Sequence, residues 1–309
     1  MEGFDFYPQK PELIESKINR KTSLTFFSML LFALGLVLIG STDFLFIFFV
    51  VLVLFVHEIG HFSFMKIYQY KNVRMLFVPL MGAFVQGKKE FYQEKQSFFV
   101  IMAGPIPGVL LGTILLYFGE AFNYNWMKEL SILFLFINMI NLLPLDMLDG
   151  GQMLKLFFDK NQGRFQVIMS FVSSLLMIMI GWYFSLTFLI IFGFLMGLRV
   201  RSAQKKYQIQ KECEDENINY KTTYQALSNK DFSKLKEIVL EYTPALRKYL
   251  DNEEEEITNP LLAEHVNNAL VAPIDRNASS LFKFIVILVW IASFLLPIVL
   301  AYNINSLKF

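Results

Sequence analysis

The chain holds one cysteine, Cys213, among 309 residues. That scarcity excludes an intrachain disulfide and any cysteine-based zinc cluster; Cys213 reads as a free cytoplasmic thiol. Histidine is nearly as rare, with only His57, His61 and His265. Charge is sparse too: 18% of residues are charged and the formal net charge is +1, against about 25% charged in soluble domains. A balance so close to neutral gives no case for a nucleic-acid partner. There is no internal repeat, and no glycine-rich nucleotide loop precedes a helix. Any metal held here must rest on histidine and carboxylate.

What the chain has in quantity is apolar residue, 55% in all, with 34 phenylalanines. It comes in long blocks: Thr22–Gly40, Phe44–Met65, Phe98–Phe118, Leu130–Leu145, Phe165–Gly181, Phe184–Leu198 and Leu281–Tyr302. Crossing a bilayer as a helix takes ~20 apolar residues. The expected fold is therefore an all-α polytopic membrane protein of about six to seven transmembrane helices. The fourth and sixth blocks are short, and the fifth and sixth suit one helical hairpin. The first block does not read as a signal peptide, because a mixed-charge leader (1–21) precedes it and no small-x-small cleavage pattern follows.

Basic residues favour the cytoplasmic side. They fall at Arg20 and Lys21, at Lys71, Arg74, Lys88, Lys89 and Lys95, at Lys155, Lys160 and Arg164, and at Arg199, Arg201, Lys205 and Lys206. The alternate connections hold only Lys128. This pattern expects a cytoplasmic N-terminus, a transmembrane domain over 22–198, a cytoplasmic soluble segment over 199–280 and a last span over 281–302. Short helices are expected around Tyr220–Leu250, and the acidic run Asp251–Glu256 reads as a solvated patch. The expected location is a prokaryotic inner (cell) membrane.

The second block contains His57-Glu58-Ile59-Gly60-His61. Residues i and i+4 of a helix share a face, so both histidines can address one zinc ion. Glu58 is placed to take a proton from a metal-bound water, whose pKa zinc lowers to about 7. An HExxH on a soluble helix is often chance. Within an apolar span each ionisable group costs roughly 2.5–3.5 kcal/mol or more, and a bound metal is the natural compensation. A catalytic zinc wants a third protein ligand and an open position. The fourth block ends in Asn141-Leu142-Leu143-Pro144-Leu145-Asp146-Met147-Leu148-Asp149-Gly150-Gly151, at a depth matching HEIGH, and offers Asp146 and Asp149. Pro144 can break the helix, while Gly150 and Gly151 allow an unusual backbone that turns a carboxylate toward the metal.

These two motifs, HExxH and NxxPxxxxDG, resemble those of the site-2 protease family of intramembrane metalloproteases. The similarity covers a core from Phe44 to about Gly151. It implies one Zn2+ per chain on His57, His61 and Asp149, with Glu58 as catalytic base. It implies that Asn141 holds substrate or the developing oxyanion. A transmembrane protein in the lipid bilayer would be the substrate, and a homo-oligomer is left open.

Between the second and third spans, residues 72–88 are apolar but rich in strand formers, Pro and Gly, including Gly82. They read as a small re-entrant β element whose edge can pair with an unwound substrate. Gly104 and Pro105 open the third span, where small residues allow close helix approach. Two other readings stay open: a metal-ion transporter using the buried His and Asp, and a catalytically inactive relative that binds membrane proteins. A transporter has no special need of Glu58.

Overall fold

The computed structural model describes residues 7–13, 22–38, 40, 43–79, 82–158, 162–250 and 259–306. The acidic run at 251–256 and most of the leader lie outside the described residues. In chain order the elements are α1 (Thr22–Leu38), α2 (Phe44–Ile67), β1 (Lys71–Val78), β2 (Gly82–Lys88), α3 (Glu94–Met102), α4 (Pro105–Phe122), α5 (Asn125–Asn141), α6 (Asp149–Phe157), α7 (Gln162–Tyr183), α8 (Thr187–Asp215), α9 (Asn229–Glu241), α10 (Pro244–Tyr249), α11 (Pro260–Ala269) and α12 (Ser280–Ser306). Among the described residues, four stretches are long and apolar enough to cross a membrane: Phe44–Ile67, Glu94–Phe122, Gln162–Tyr183 and Ser280–Asn303. α1 is apolar but only 17 residues long.

One compact unit comprises Ile18–Lys89, Gln93–Phe157 and Asp275–Phe309. Its α2 starts at Asp43, whose carboxylate caps the amides of Leu45 and Phe46 at 2.9 and 3.2 Å, satisfying donors that a helix start leaves open. β1 and β2 form an antiparallel hairpin with Met75 opposite Val85 and Leu76 opposite Phe84. Gly82, at φ +89°, supplies the left-handed turn residue. The Thr25 hydroxyl donates to the Met75 carbonyl at 2.9 Å, and the Phe77 amide donates to Ser28 Oγ at 3.1 Å. α1 therefore covers the outer edge of β1. Since Met75 turns its backbone outward, its partner Val85 must also point away from the hairpin's interior.

Within the same unit the buried Glu94, at the start of α3, pairs with Arg276 at 3.0 Å and Lys283 at 2.7 Å. Arg276 also donates to the Leu156 carbonyl at 2.7 Å, near the end of α6. Phe98, Met153, Leu156 and Val286 pack into one apolar cluster. α3, α6 and the start of α12 are thereby tied together.

The other unit comprises Met1–Lys17, Glu90–Tyr92 and Phe158–Ile274. α7 and α8 form a hairpin in which Ser174 Oγ donates to the Gly193 carbonyl at 2.7 Å. α8 runs unbroken past Leu198 to Asp215. α9 and α10 fall within the stretch expected to hold short helices, and α11 lies beyond it. Leu235, Leu262, Ala263 and Val266 are fully buried among them, together with Cys213. Residues 7–13 lie along this core. Lys10 Nζ donates to the carbonyls of Tyr224, Gln225 and Leu227 at 2.6, 3.0 and 2.5 Å, and the Tyr224 hydroxyl donates to the Pro11 carbonyl at 2.7 Å.

Candidate metal centre

His57, Glu58 and His61 are all buried on α2. The i, i+4 spacing puts their two rings on one face, and their Nε2 atoms lie 3.1 Å apart. α5 stops at Asn141, before Pro144, and the loop 142–148 returns the chain so that α6 begins at Asp149. Asp149 Oδ2 lies 3.2 Å from both His57 Nε2 and His61 Nε2. Three donor atoms from two distant segments thus form a nearly equilateral triangle.

The outer ring nitrogens fix what this triangle offers. His57 Nδ1 donates to Asn138 Oδ1 at 2.8 Å, and His61 Nδ1 donates to the Val100 carbonyl at 2.7 Å. The Asn138 amide is oriented by its own donation to the Phe134 carbonyl at 2.7 Å. Both acceptors lack a proton to give, so each Nδ1 carries the hydrogen and each Nε2 presents a lone pair. Two lone pairs and a carboxylate oxygen then converge inside the protein. Such a set suits a cation between them. A tetrahedral zinc with bonds of about 2.0–2.1 Å has donor–donor edges of roughly 3.3 Å, close to those observed. The residues present fit the group.

Of the two candidate aspartates, Asp149 joins the histidines. Asp146 is equally buried but is engaged by Lys155 Nζ at 2.7 Å. Glu58 lies beside the triangle, and its carboxylate accepts the Val85 backbone N–H of β2. Asn141 Nδ2 donates to the Ile137 carbonyl at 2.9 Å. Pro144 is exposed in the loop.

The glycines act differently from the expectation. Gly150 and Gly151 are helical, and the left-handed residue of the loop is Met147 at φ +74°. What the glycines provide is space. A Cβ on Gly150 would lie 2.0 Å from the Leu142 carbonyl oxygen, and one on Gly151 would lie 1.9 Å from that of Leu145. Gly104 interrupts the third span between α3 and α4, with Pro105 in the first turn of α4. A Cβ there would lie 2.3 Å from His61 Nε2.

Asn138 escaped the sequence reading. It sits one turn before Asn141, fully buried in an apolar helix, where a polar side chain requires a partner; that was the available signal. The Val100 carbonyl left none.

Residues 45–130 match the model of peptidase family M50. Over 147 residues the chain is 28% identical to a zinc metalloprotease of Methanocaldococcus jannaschii, covering 45% of this chain and 42% of that protein. Over 116 residues it is 30% identical to stage IV sporulation protein FB of Bacillus subtilis, covering 35% and 38%. The chain thus spans about two fifths of the length of these curated relatives. The solved site-2 protease from M. jannaschii is similar at 22% identity with a TM-score of 0.45, over 58% of this chain and 87% of that one. Asn138, Asn141 and Asp149 lie beyond the family match, which ends at residue 130. Over the segment holding α2, the hairpin and α4, the chain is therefore similar to peptidase family M50.

Proposed function

We propose that this integral membrane protein is a zinc endopeptidase that hydrolyses a peptide bond within or near a transmembrane segment of another membrane protein. The observation that carries the reading is the triangle of His57, His61 and Asp149 with Glu58 beside it. Zinc held there by His57, His61 and Asp149 would supply a Lewis acid and bring the pKa of water to about 7.

The chain's own residues do the rest. Asn138 and the Val100 carbonyl hold both imidazoles in the Nδ1–H tautomer, which keeps the Nε2 lone pairs on the metal side. Glu58 takes a proton from the attacking water at its carboxylate and passes it to the leaving amine. Asn141 keeps one amide N–H beyond its bond to Ile137, and that donor is assigned to substrate or to the developing oxyanion.

A helical substrate must unwind before its peptide bond is accessible. β2 supports a route. α1 occupies the β1 edge, while Ala83 and Val85 turn their backbone groups to the outer side of β2, beside Glu58. An extended substrate added along β2, on the backbone groups other than the Val85 N–H that Glu58 already holds, would lie next to the base. We place this hairpin at membrane depth, the N-terminus and the 199–280 segment on the cytoplasmic side, and the whole in a prokaryotic cell membrane.

The reading is tested by comparing membrane proteomes of cells carrying the wild type and Glu58→Gln. Transmembrane fragments should accumulate in the variant. Identical fragment profiles would remove the protease reading.

A further inference from the structure

α12 follows the soluble segment and contributes no residue to the triangle. Yet it meets the ligand-bearing loop at one directional contact. Trp290 Nε1–H donates to the Leu142 carbonyl at 2.8 Å. Leu142 caps the C-terminus of α5 and is fully buried. Its carbonyl is among those a helix end leaves without an intrahelical donor. The same oxygen is the atom that a Cβ on Gly150 would approach to 2.0 Å. The Leu142 carbonyl is therefore held between an indole N–H on one side and the residue next to Asp149 on the other.

Both ends of the Asp149 helix answer to α12 and its lead-in. Arg276 binds the Leu156 carbonyl near the end of α6, and it and Lys283 bind Glu94 at the head of α3. α3 in turn carries the Val100 carbonyl that orients His61.

We propose that Trp290 is a positioning residue of the metal centre: by fixing the Leu142 carbonyl it sets the loop that delivers Asp149 to the two histidines. This rests on the reading of the triangle as a zinc site. Without the indole N–H the buried carbonyl loses its donor and the loop gains freedom to shift. A displacement of a few tenths of an ångström at Asp149 is enough to weaken a three-ligand site.

The test uses the full-length detergent-solubilised protein and zinc itself, with affinity read by chelator competition and unfolding followed in the metal-free form. Trp290→Phe removes the N–H and keeps an aromatic ring. Trp290→His returns a ring donor, and Ile291→Ala trims an exposed neighbour on the same helix. Zinc affinity should fall about 10-fold in Trp290→Phe, the lower end of what lost ligand support costs. It should recover at least in part in Trp290→His and stay at the wild-type value in Ile291→Ala. Unchanged affinity in Trp290→Phe would overturn the assignment. So would a loss shared equally by Ile291→Ala, or one that follows metal-free stability across all three variants. Failure of the wild type to bind zinc would instead overturn the metal reading beneath it.

Discussion

Gly108 of α4 faces Asn138 of α5 so closely that a Cβ at position 108 would lie 2.2 Å from the Asn138 amide nitrogen. Asn138 in turn holds His57. Gly108→Val should therefore displace an orienting group rather than a ligand. The expected result is a 10–100-fold loss of zinc affinity, read by chelator competition. A variant with full affinity would show that the Asn138 contact is dispensable.

Asp149 and Asp146 are both buried, three residues apart, and have different partners. Asp149→Ala should abolish tight zinc binding, while Asp146→Ala should leave it nearly intact and lower stability by leaving Lys155 unpaired. Metal content after dialysis checks the first and thermal unfolding the second. Equal metal loss in the two variants would reassign the third ligand.

How far the sequence carries depends on whether a feature is local. HEIGH and the DG at 149–150 are local patterns with a chemical meaning, so the three side chains that the structure brings together, His57, His61 and Asp149, could be named beforehand. The β hairpin was readable from strand formers on either side of Pro79 and Gly82. The function of Gly104, Gly108 and Gly150 was not, because it depends on what another segment brings against them: His61, Asn138 and the Leu142 carbonyl. Trp290 was invisible for the same reason, since its partner lies 148 positions away. α8 likewise continues to Asp215 where hydropathy falls near Leu198, because a helix can outlast its apolar face.

Glu94 is fully buried and holds Arg276 and Lys283, whose side chains are 24% and 30% exposed. Glu94→Gln should cost about 2–3 kcal/mol, below the 3–5 kcal/mol of a fully buried pair because both cations keep some access to water. The unfolding midpoint should drop, and zinc affinity should drop with it if the clamp supports α3 and α6. An unshifted midpoint would show that the cluster contributes little.

Cys213 is completely buried, and desolvation, reinforced by Glu216 and Glu212, pushes its thiol from an ordinary 9.0 up to about 12. The folded state thus favours the protonated form. Stability is at its full value below pH ~9 and falls as pH rises toward 12, where only the unfolded chain ionises freely. Folded protein should resist iodoacetamide at pH 8 and label once denatured. Rapid labelling of the native protein would contradict the buried placement.

The central claim is that Glu58 is the base of a zinc peptidase. The most direct measurement pairs metal content with cleavage of a co-reconstituted membrane-protein substrate, in wild type and Glu58→Gln. Equal zinc is expected in both, about one per chain for a single three-ligand site, with cleavage lost only in the variant. Undiminished cleavage by Glu58→Gln would contradict it.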